Sequence, residues 1–485
     1  MGGAGGGDGG SGEGEGGAGS VGPSGAPDDR PTLPTVSNGE HETIETAVVE
    51  GIGGPLADVS RTPRIRVRGA LETARTEGFE RLQAMPVREV LDCVAGAAIR
   101  YEGVGPAGDD RSTYRERVAR ATGLPAGWVD VSAHWLAYAM RHAGEALRAQ
   151  SPTGGLDVYD DATYTRERNV GLAWTPSGRV LGATMPGNDP AVYAWPVLAL
   201  AMKVPVVLRP SDREPFTAVR LARRLLAAGI PDAALHVLPG DREVGIEVPR
   251  AADHGMAFGA EAAMEPFRDE PHVHSYGPGR SVAVVARDPT PDELASLARG
   301  VARAGGRTCF NLTRIVATGD CDPDRLAADL AARLADTPLG PVTGAETDIP
   351  AFPDPERAAR VDARADAAGR DVTAAERDGP RLVEAGGTTY LRPTVVRAGG
   401  LVEELPFPFA GVTRIERGAL PDRVDRAYLG VCIGDDDLER AMMRDPAIRK
   451  VYGGRYPAAV DLRETHEEYP ASFLYETTTY DPSGA

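Results

Sequence analysis

The sequence predicts an α/β protein with two units behind a glycine-rich tail. Three observations carry that reading. Short apolar runs alternate with helical patterns from about residue 179 to 259. The same rhythm restarts at Ser281 and continues to about residue 397. The first 40 residues are mostly Gly, Ser, Pro and acid, too poor in apolar side chains to offset the entropy of ordering them. The expected boundaries are a disordered tail over 1–40, a Rossmann-like unit over 60–275 and a second α/β unit over 276–435. A C-terminal segment, 436–485, is expected to return to the first unit or to join another subunit.

Each element has a local reason. Residues 78–101 place apolar side chains three and four apart, with a restart at Pro86, and a second helical stretch covers 131–148. Cys93 lies on the apolar face of the first and reads as a core thiol. A strand over 179–185 stops at Pro186 and is followed by a helix over 191–202. Strands over 204–209, 235–240 and 253–259 flank a helix over 216–229 that ends in Gly229. In the second unit, strands fall at 281–286, 312–318 and 389–396, with helices at 292–304 and 324–334. Residues 350–385 read as polar and helical. Alternating strands and helices make parallel sheets with crossover helices, and such sheets bind ligands at the carboxyl ends of their strands.

Composition excludes several classes. Acidic residues outnumber basic ones 71 to 53, giving a formal net charge of −18. Such a chain is a poor partner for nucleic acid or an anionic membrane. No apolar run is long enough to span a bilayer, and no secretory signal opens the chain. Four scattered cysteines, Cys93, Cys309, Cys321 and Cys432, match neither a metal site nor a disulfide framework. A cytoplasmic enzyme fits these bounds. Lys occurs only at Lys203 and Lys450, the other basic residues being Arg. With the acid excess, this suggests a salt-adapted, halophilic proteome; base composition alone accounts for the Arg but not for the acid.

One local feature stands out. A helix is expected to stop at Gly305-Gly306, and Cys309 follows three residues later. Glycines there allow a ligand close to the backbone, and N–H groups beyond the cysteine would favour a thiolate. A buried thiol in a turn fits the same residues.

A second feature extends the first. Met185-Pro186-Gly187-Asn188-Asp189 precedes a helix, and Arg209-Pro210-Ser211-Asp212 precedes the next. These turns resemble the cofactor-domain signature of the aldehyde dehydrogenase superfamily. In the family's order follow Ala228-Gly229-Ile230-Pro231, Phe258-Gly259-Ala260-Glu261, Gly277-Pro278-Gly279-Arg280-Ser281, Gly306-Arg307-Thr308-Cys309 and Glu403-Glu404-Leu405-Pro406-Phe407. The resemblance covers roughly residues 70–450. It implies that Cys309 is the nucleophile and that Asn188 steadies the oxyanion. It also implies that Pro186, Arg209, Ser211, Asp212, Gly259 and Glu404 border an NAD or NADP site. Asp212 leans toward NAD, whereas Arg209 and Arg213 suit a 2′-phosphate. No metal is implied. A homo-oligomer acting on a small aldehyde or acyl thioester is the expected assembly.

The sequence departs from the family at one chemical position. Where the family carries a glutamate base, this chain has Tyr276. A phenol stays protonated at neutral pH and is a poor base for water. A thiol acceptor needs less help. The expectation is therefore an NAD(P)-dependent aldehyde oxidoreductase of the acyl-CoA reductase kind, with coenzyme A as co-substrate. Two alternatives stand beside it: an aldehyde-to-carboxylate dehydrogenase with another base, His272 or His274 being nearest, and a paralogue that binds cofactor without catalysis.

Overall fold

The computed structural model describes residues 2, 30–103, 110–165, 170–344, 347–420, 424, 426–459, 461–464 and 467–480. Seven strands form the first sheet, in the order Val273–Tyr276, His254–Phe258, Leu181–Thr184, Val206–Arg209, Leu235–Val237, Thr35–Ser37, Glu40–Glu42. The first five run parallel. The parallel part begins at Leu181–Thr184, steps outward to Leu235–Val237, then crosses back to His254–Phe258. Strand order therefore reverses between Leu181–Thr184 and His254–Phe258, which opens a crevice at their carboxyl ends. Val206, Val207 and Leu208 are buried on both faces of the sheet, as expected of parallel strands covered by helices.

Helices Val87–Glu102, Ala126–Arg141, Ala194–Ala201 and Phe216–Ala227 pack into one apolar core with this sheet. Pro86 sits at the start of the helix Val87–Glu102, where its missing N–H costs nothing. The stretch expected as one helix over 131–148 is two, Ala126–Arg141 and Ala143–Gln150, with His142 between them.

The second sheet orders Arg370–Asp371, Thr394–Arg397, Phe409–Arg414, Arg314–Ala317, Val282–Val285, Ala427–Ile433 and Ile448–Gly453. It takes in Ile448–Gly453, beyond residue 435. A third, antiparallel sheet pairs Tyr475–Tyr480 with Val170–Pro176, so the C-terminal segment returns to the chain's first half.

Three expectations change. The tail expected over 1–40 falls for residues 3–29 outside the described residues, but from Thr32 onward the chain forms strands, and Thr35–Ser37 joins the first sheet. Val36 is fully buried there, so this stretch does bury apolar area. Residues 350–385 hold one helix, Pro355–Ala368, flanked by short strands. The single strand expected over 389–396 is two, Thr388–Leu391 and Thr394–Arg397, in different sheets. Pro393 lies between them, has no N–H for a ladder and breaks the run.

Candidate active site

The nucleophile loop is built by backbone shape. Helix Pro291–Ala302 starts at a Thr290–Glu293 capping box. After it the chain turns through three consecutive left-handed residues, Ala304, Gly305 and Gly306. A side chain at Gly306 would meet the Phe407 carbonyl at 2.3 Å, so that approach requires glycine. Asn311 then holds the loop from inside. Its Oδ1 accepts from Thr308 N at 2.7 Å, and its Nδ2 donates to the carbonyls of Gly300, Val301 and Arg303. Arg307 holds it from outside. Its Nε, Nη1 and Nη2 donate to the carbonyls of Pro406, Thr122 and Ala351 at 3.0, 2.5 and 2.6 Å. Its guanidinium also lies 5.0 Å over the Phe352 ring.

Cys309 emerges half-buried from this loop. The turn at Gly279 presses against it: a Cβ there would stand 2.1 Å from the Cys309 carbonyl oxygen. Ser281 Oγ donates to the same carbonyl at 2.7 Å. Burial, then the carboxylates of Glu404, Glu467 and Asp189, push the thiol pKa well up, with Lys450 opposing them.

Asn188 reaches the same place from the first sheet, four residues beyond the strand Leu181–Thr184. Its Nδ2 donates to the Arg307 carbonyl at 2.7 Å, which ties the two loops together. An amide carries two N–H groups, so a second remains for a ligand. Its Oδ1 is buried without a partner among the described residues. Gly187 allows the turn to lie against Ser211, whose Oγ would stand 2.4 Å from an added Cβ.

All eight residues singled out from the sequence, Cys309, Asn188, Pro186, Arg209, Ser211, Asp212, Gly259 and Glu404, line one cavity of about 1390 Å³. The cavity follows the strand-end crevice of the first sheet to Cys309. Arg209 is turned away from ligand work: its Nη2 pairs with both Asp212 oxygens at 2.8 and 2.9 Å and, with Nε, donates to the Gly240 carbonyl. Glu404 accepts from Gly279 N and Arg280 N at 3.0 and 3.3 Å, and burial raises its pKa.

Tyr276 ends the strand that leads into the Gly279 turn. Its ring stacks on Phe258 at 4.7 Å and its hydroxyl donates to Glu468 at 3.5 Å. Burial, then the nearby Glu468 and Glu467, raise its pKa well above the ordinary phenol value, which keeps the phenol protonated at neutral pH. His272 donates to the Arg250 carbonyl, and His274 bonds to Glu468 and stacks on Phe473. Neither histidine lines the cavity.

Sequence reasoning missed three residues that line this cavity and one behind it. Arg307 hid behind the cysteine beside it. Arg357, from the helix Pro355–Ala368, faces Arg213 across the crevice, and burial followed by that like charge lowers its pKa. Glu467 arrives from the C-terminal segment. Lys450 sits behind the site, over the rings of Phe310 and Tyr428 at 5.9 and 5.6 Å. The acid pair Glu467-Glu468 in a Tyr- and Thr-rich stretch was the only available hint of the third.

The model of the aldehyde dehydrogenase family matches residues 41–399. The chain belongs to the aldehyde dehydrogenase family. It is 28% identical to the malonate-semialdehyde dehydrogenase of Pseudomonas aeruginosa over 38% of this chain and 40% of that protein. It thus spans less than half of the first curated relatives it matches. It is 27% identical to the NADP/NAD-dependent aldehyde dehydrogenase PuuC of Escherichia coli over 83% of this chain and 82% of that one. The structure of gamma-glutamyl-gamma-aminobutyraldehyde dehydrogenase from Burkholderia cenocepacia superposes with a TM-score of 0.75, at 20% identity, covering 92% of this chain and 96% of that chain. At that identity the likeness speaks for the aldehyde dehydrogenase fold. Among the described residues of this aldehyde dehydrogenase, no acid, His or Cys cluster could hold a metal ion, and no helix is long and apolar enough to cross a membrane.

Proposed function

We propose that this aldehyde dehydrogenase oxidises a small aldehyde to the carboxylic acid with NAD(P)+, through a thioacyl group on Cys309. The observation that carries this reading is the convergence of Cys309, Asn188 and the strand-end crevice on one cavity. In it, residues 60–275 hold the dinucleotide and 276–435 carry the nucleophile.

The donor set fits a dinucleotide. The Ser211 hydroxyl and the Asp212 carboxylate suit one ribose, and the Glu404 carboxylate suits the other. Pro186 and Gly259 leave the strand ends clear of bulky side chains. Bound there, NAD(P)+ supplies the hydride acceptor. The cofactor with a 2′-phosphate is favoured: Arg209 is spent on Asp212 and Gly240, while no ion pair occupies Arg213 or Arg357 among the described residues. Two guanidiniums lining one crevice suit a phosphate dianion.

The chain's own residues do the rest. The Cys309 sulfur adds to the aldehyde carbon, forming the C–S bond. The oxygen that becomes anionic lies against the second N–H of Asn188 and the backbone N–H of Cys309. Loss of hydride leaves the thioacyl, and an acceptor then takes the acyl group and frees the thiol. Water as acceptor matches the relatives, which are named as aldehyde dehydrogenases. A second reading, transfer to the thiol of coenzyme A, is favoured by one observation: a protonated Tyr276 where the family has its base.

The test is NAD(P)H formation from a panel of aldehydes, with and without coenzyme A. Sustained turnover without thiol, yielding free acid, supports the hydrolytic reading. Turnover that stalls after about one event per site until coenzyme A is added supports the thiol reading. No reduction with any aldehyde sinks both.

A further inference from the structure

Hydrolysis of the thioacyl needs a carboxylate or imidazole beside Cys309, and position 276 supplies neither. We propose that Glu467, delivered by the C-terminal segment, is the general base that activates the hydrolytic water. The proposal rests on the hydrolytic reading above.

The C-terminal segment is packed against the site where a base is missing. Phe473 stacks on His274 at 4.0 Å, and Glu468 bonds to His274 at 2.6 Å and to the Tyr276 hydroxyl. This anchoring brings the adjacent residue, Glu467, to the wall of the cavity that holds Cys309. Its side chain is only 11% exposed and is paired with Arg426. It is close enough for its charge to act on the Cys309 thiol. Arg426 is a positioning residue: it does not line the cavity, and it holds the carboxylate in place.

The other acids fit the task less well. Glu404 is held by two backbone N–H groups of the Gly279 turn. Asp189 accepts from Ala191 N and caps the turn that follows it. Tyr276 fills its own position with a ring stacked on Phe258. The carboxylate has, in effect, moved from the strand end to the C-terminal segment, and the tyrosine left behind is part of what anchors that segment.

The step balances without a further reagent. The water oxygen bonds to the acyl carbon as its proton passes to the Glu467 carboxylate. The C–S bond then breaks, the sulfur leaves as thiolate and the carboxylic acid is released. Glu467 returns the proton to the thiolate or to solvent.

The test compares wild type, Glu467→Gln, Glu467→Asp and Glu404→Gln, each given an aldehyde and NADP+ without thiol. NAD(P)H is followed through the first turnover, and the acyl adduct on Cys309 is measured by intact mass. Thermal unfolding checks that each variant is folded. Wild type should turn over steadily with little adduct. Glu467→Gln should give a burst of about one NAD(P)H per site, then turnover slower by roughly 10²-fold or more. Its adduct should accumulate and should be released by an added thiol. Glu467→Asp, which keeps a shorter carboxylate, should recover part of the rate. If Glu467→Gln turns over like wild type with no adduct, the assignment falls while the hydrolytic reading stands. If Glu404→Gln accumulates the adduct and Glu467→Gln does not, the base is Glu404. If wild type itself stalls without thiol, the hydrolytic reading falls and takes this proposal with it.

Discussion

Arg307 is the residue whose loss should cost the most for the least obvious reason. It touches no reacting atom, yet its three nitrogens bind carbonyls from the Thr122 turn, the Ala351 strand and the Pro406 loop. Its own carbonyl takes the Asn188 amide. Hydrogen bonds from a charged donor contribute roughly 1.5–3 kcal/mol each. Against them stands the cost of burying a cation with no carboxylate beside it, several kcal/mol in a real interior. Burial, then Arg357 and Arg213, lower its pKa to about 9, a sign of that cost. Arg307→Met removes both sides of the balance but leaves three carbonyls without donors, at roughly 1–3 kcal/mol each. Met recovers about 1.5–3 kcal/mol through apolar burial. We expect a net loss of about 3–5 kcal/mol. For a chain of this size that lowers Tm by roughly 1 °C per kcal/mol. Arg307→Lys should resemble Met more than Arg, because one ammonium cannot span three carbonyls held from different sides. The loop should also lose register, so kcat should fall roughly 10- to 100-fold. Calorimetry at one scan rate and single-turnover kinetics measure both. If either variant keeps Tm within 1 °C and kcat within about twofold, the reasoning is refuted.

Three further outcomes follow from the same geometry. Asn188→Ala should lower kcat roughly 10²- to 10³-fold with little change in NAD(P)+ affinity by fluorescence titration; an unchanged kcat would remove Asn188 from the oxyanion site. Arg213→Ala with Arg357→Ala should weaken NADP+ binding roughly tenfold or more and leave NAD+ binding nearly unchanged; equal losses for both cofactors would mean that the pair does not meet the 2′-phosphate. Burial moves the Glu214 carboxyl from 4.5 to about 8, so between those values the folded chain keeps a proton that the unfolded chain has released. Stability should therefore fall as pH rises through that window, by up to about 1.4 kcal/mol per pH unit, and Glu214→Gln should flatten the slope in a Tm-against-pH series.

What the sequence made legible was local. A strand that ends in Pro186, a helix that stops at Gly229, and two glycines before Cys309 all announce themselves within a few residues, because backbone shape depends on near neighbours. The second sheet was harder. Residues 350–385 contain many helix formers, and only tertiary pairing splits them into one helix and short strands. Arg209 and Asp212 were both placed at the cofactor, but three residues apart they satisfy each other. Glu467 and Arg357 were scarcely legible, the acid pair Glu467-Glu468 being the one hint of the first. One lies 158 residues after Cys309 and the other 144 residues after Arg213, and nothing in either stretch marks what it will face once the chain closes.

The thiols give a last check. The sequence reading makes Cys309 the nucleophile and Cys93 a core thiol, so Cys309 would be the more reactive of the two. In the fold, burial and three carboxylates hold Cys309 well above an ordinary thiol, with Lys450 opposing them. Cys432 and Cys321 are buried, with pKa values pushed up to about 12 and about 11. Cys93 sits half-buried on a helix near the surface, raised by burial and then by Glu89 and Asp92. The thiolate is the reactive form, and each unit of pKa is a tenfold change in its amount. Without cofactor at pH 8, Cys93 should therefore be labelled first and Cys309 slowly. NADP+ is an anion overall, but its nicotinamide ring is cationic, and that ring placed beside the sulfur would lower the Cys309 pKa. We expect Cys309 labelling to rise at least tenfold with saturating NADP+, with Cys93 unchanged, as read by site-resolved mass spectrometry. If Cys309 is already the fastest thiol in the cofactor-free protein, its surroundings do not suppress the thiolate. The carboxylates around it would then have to be protonated or turned away at rest, and Glu467 would be in the wrong state to serve as a base.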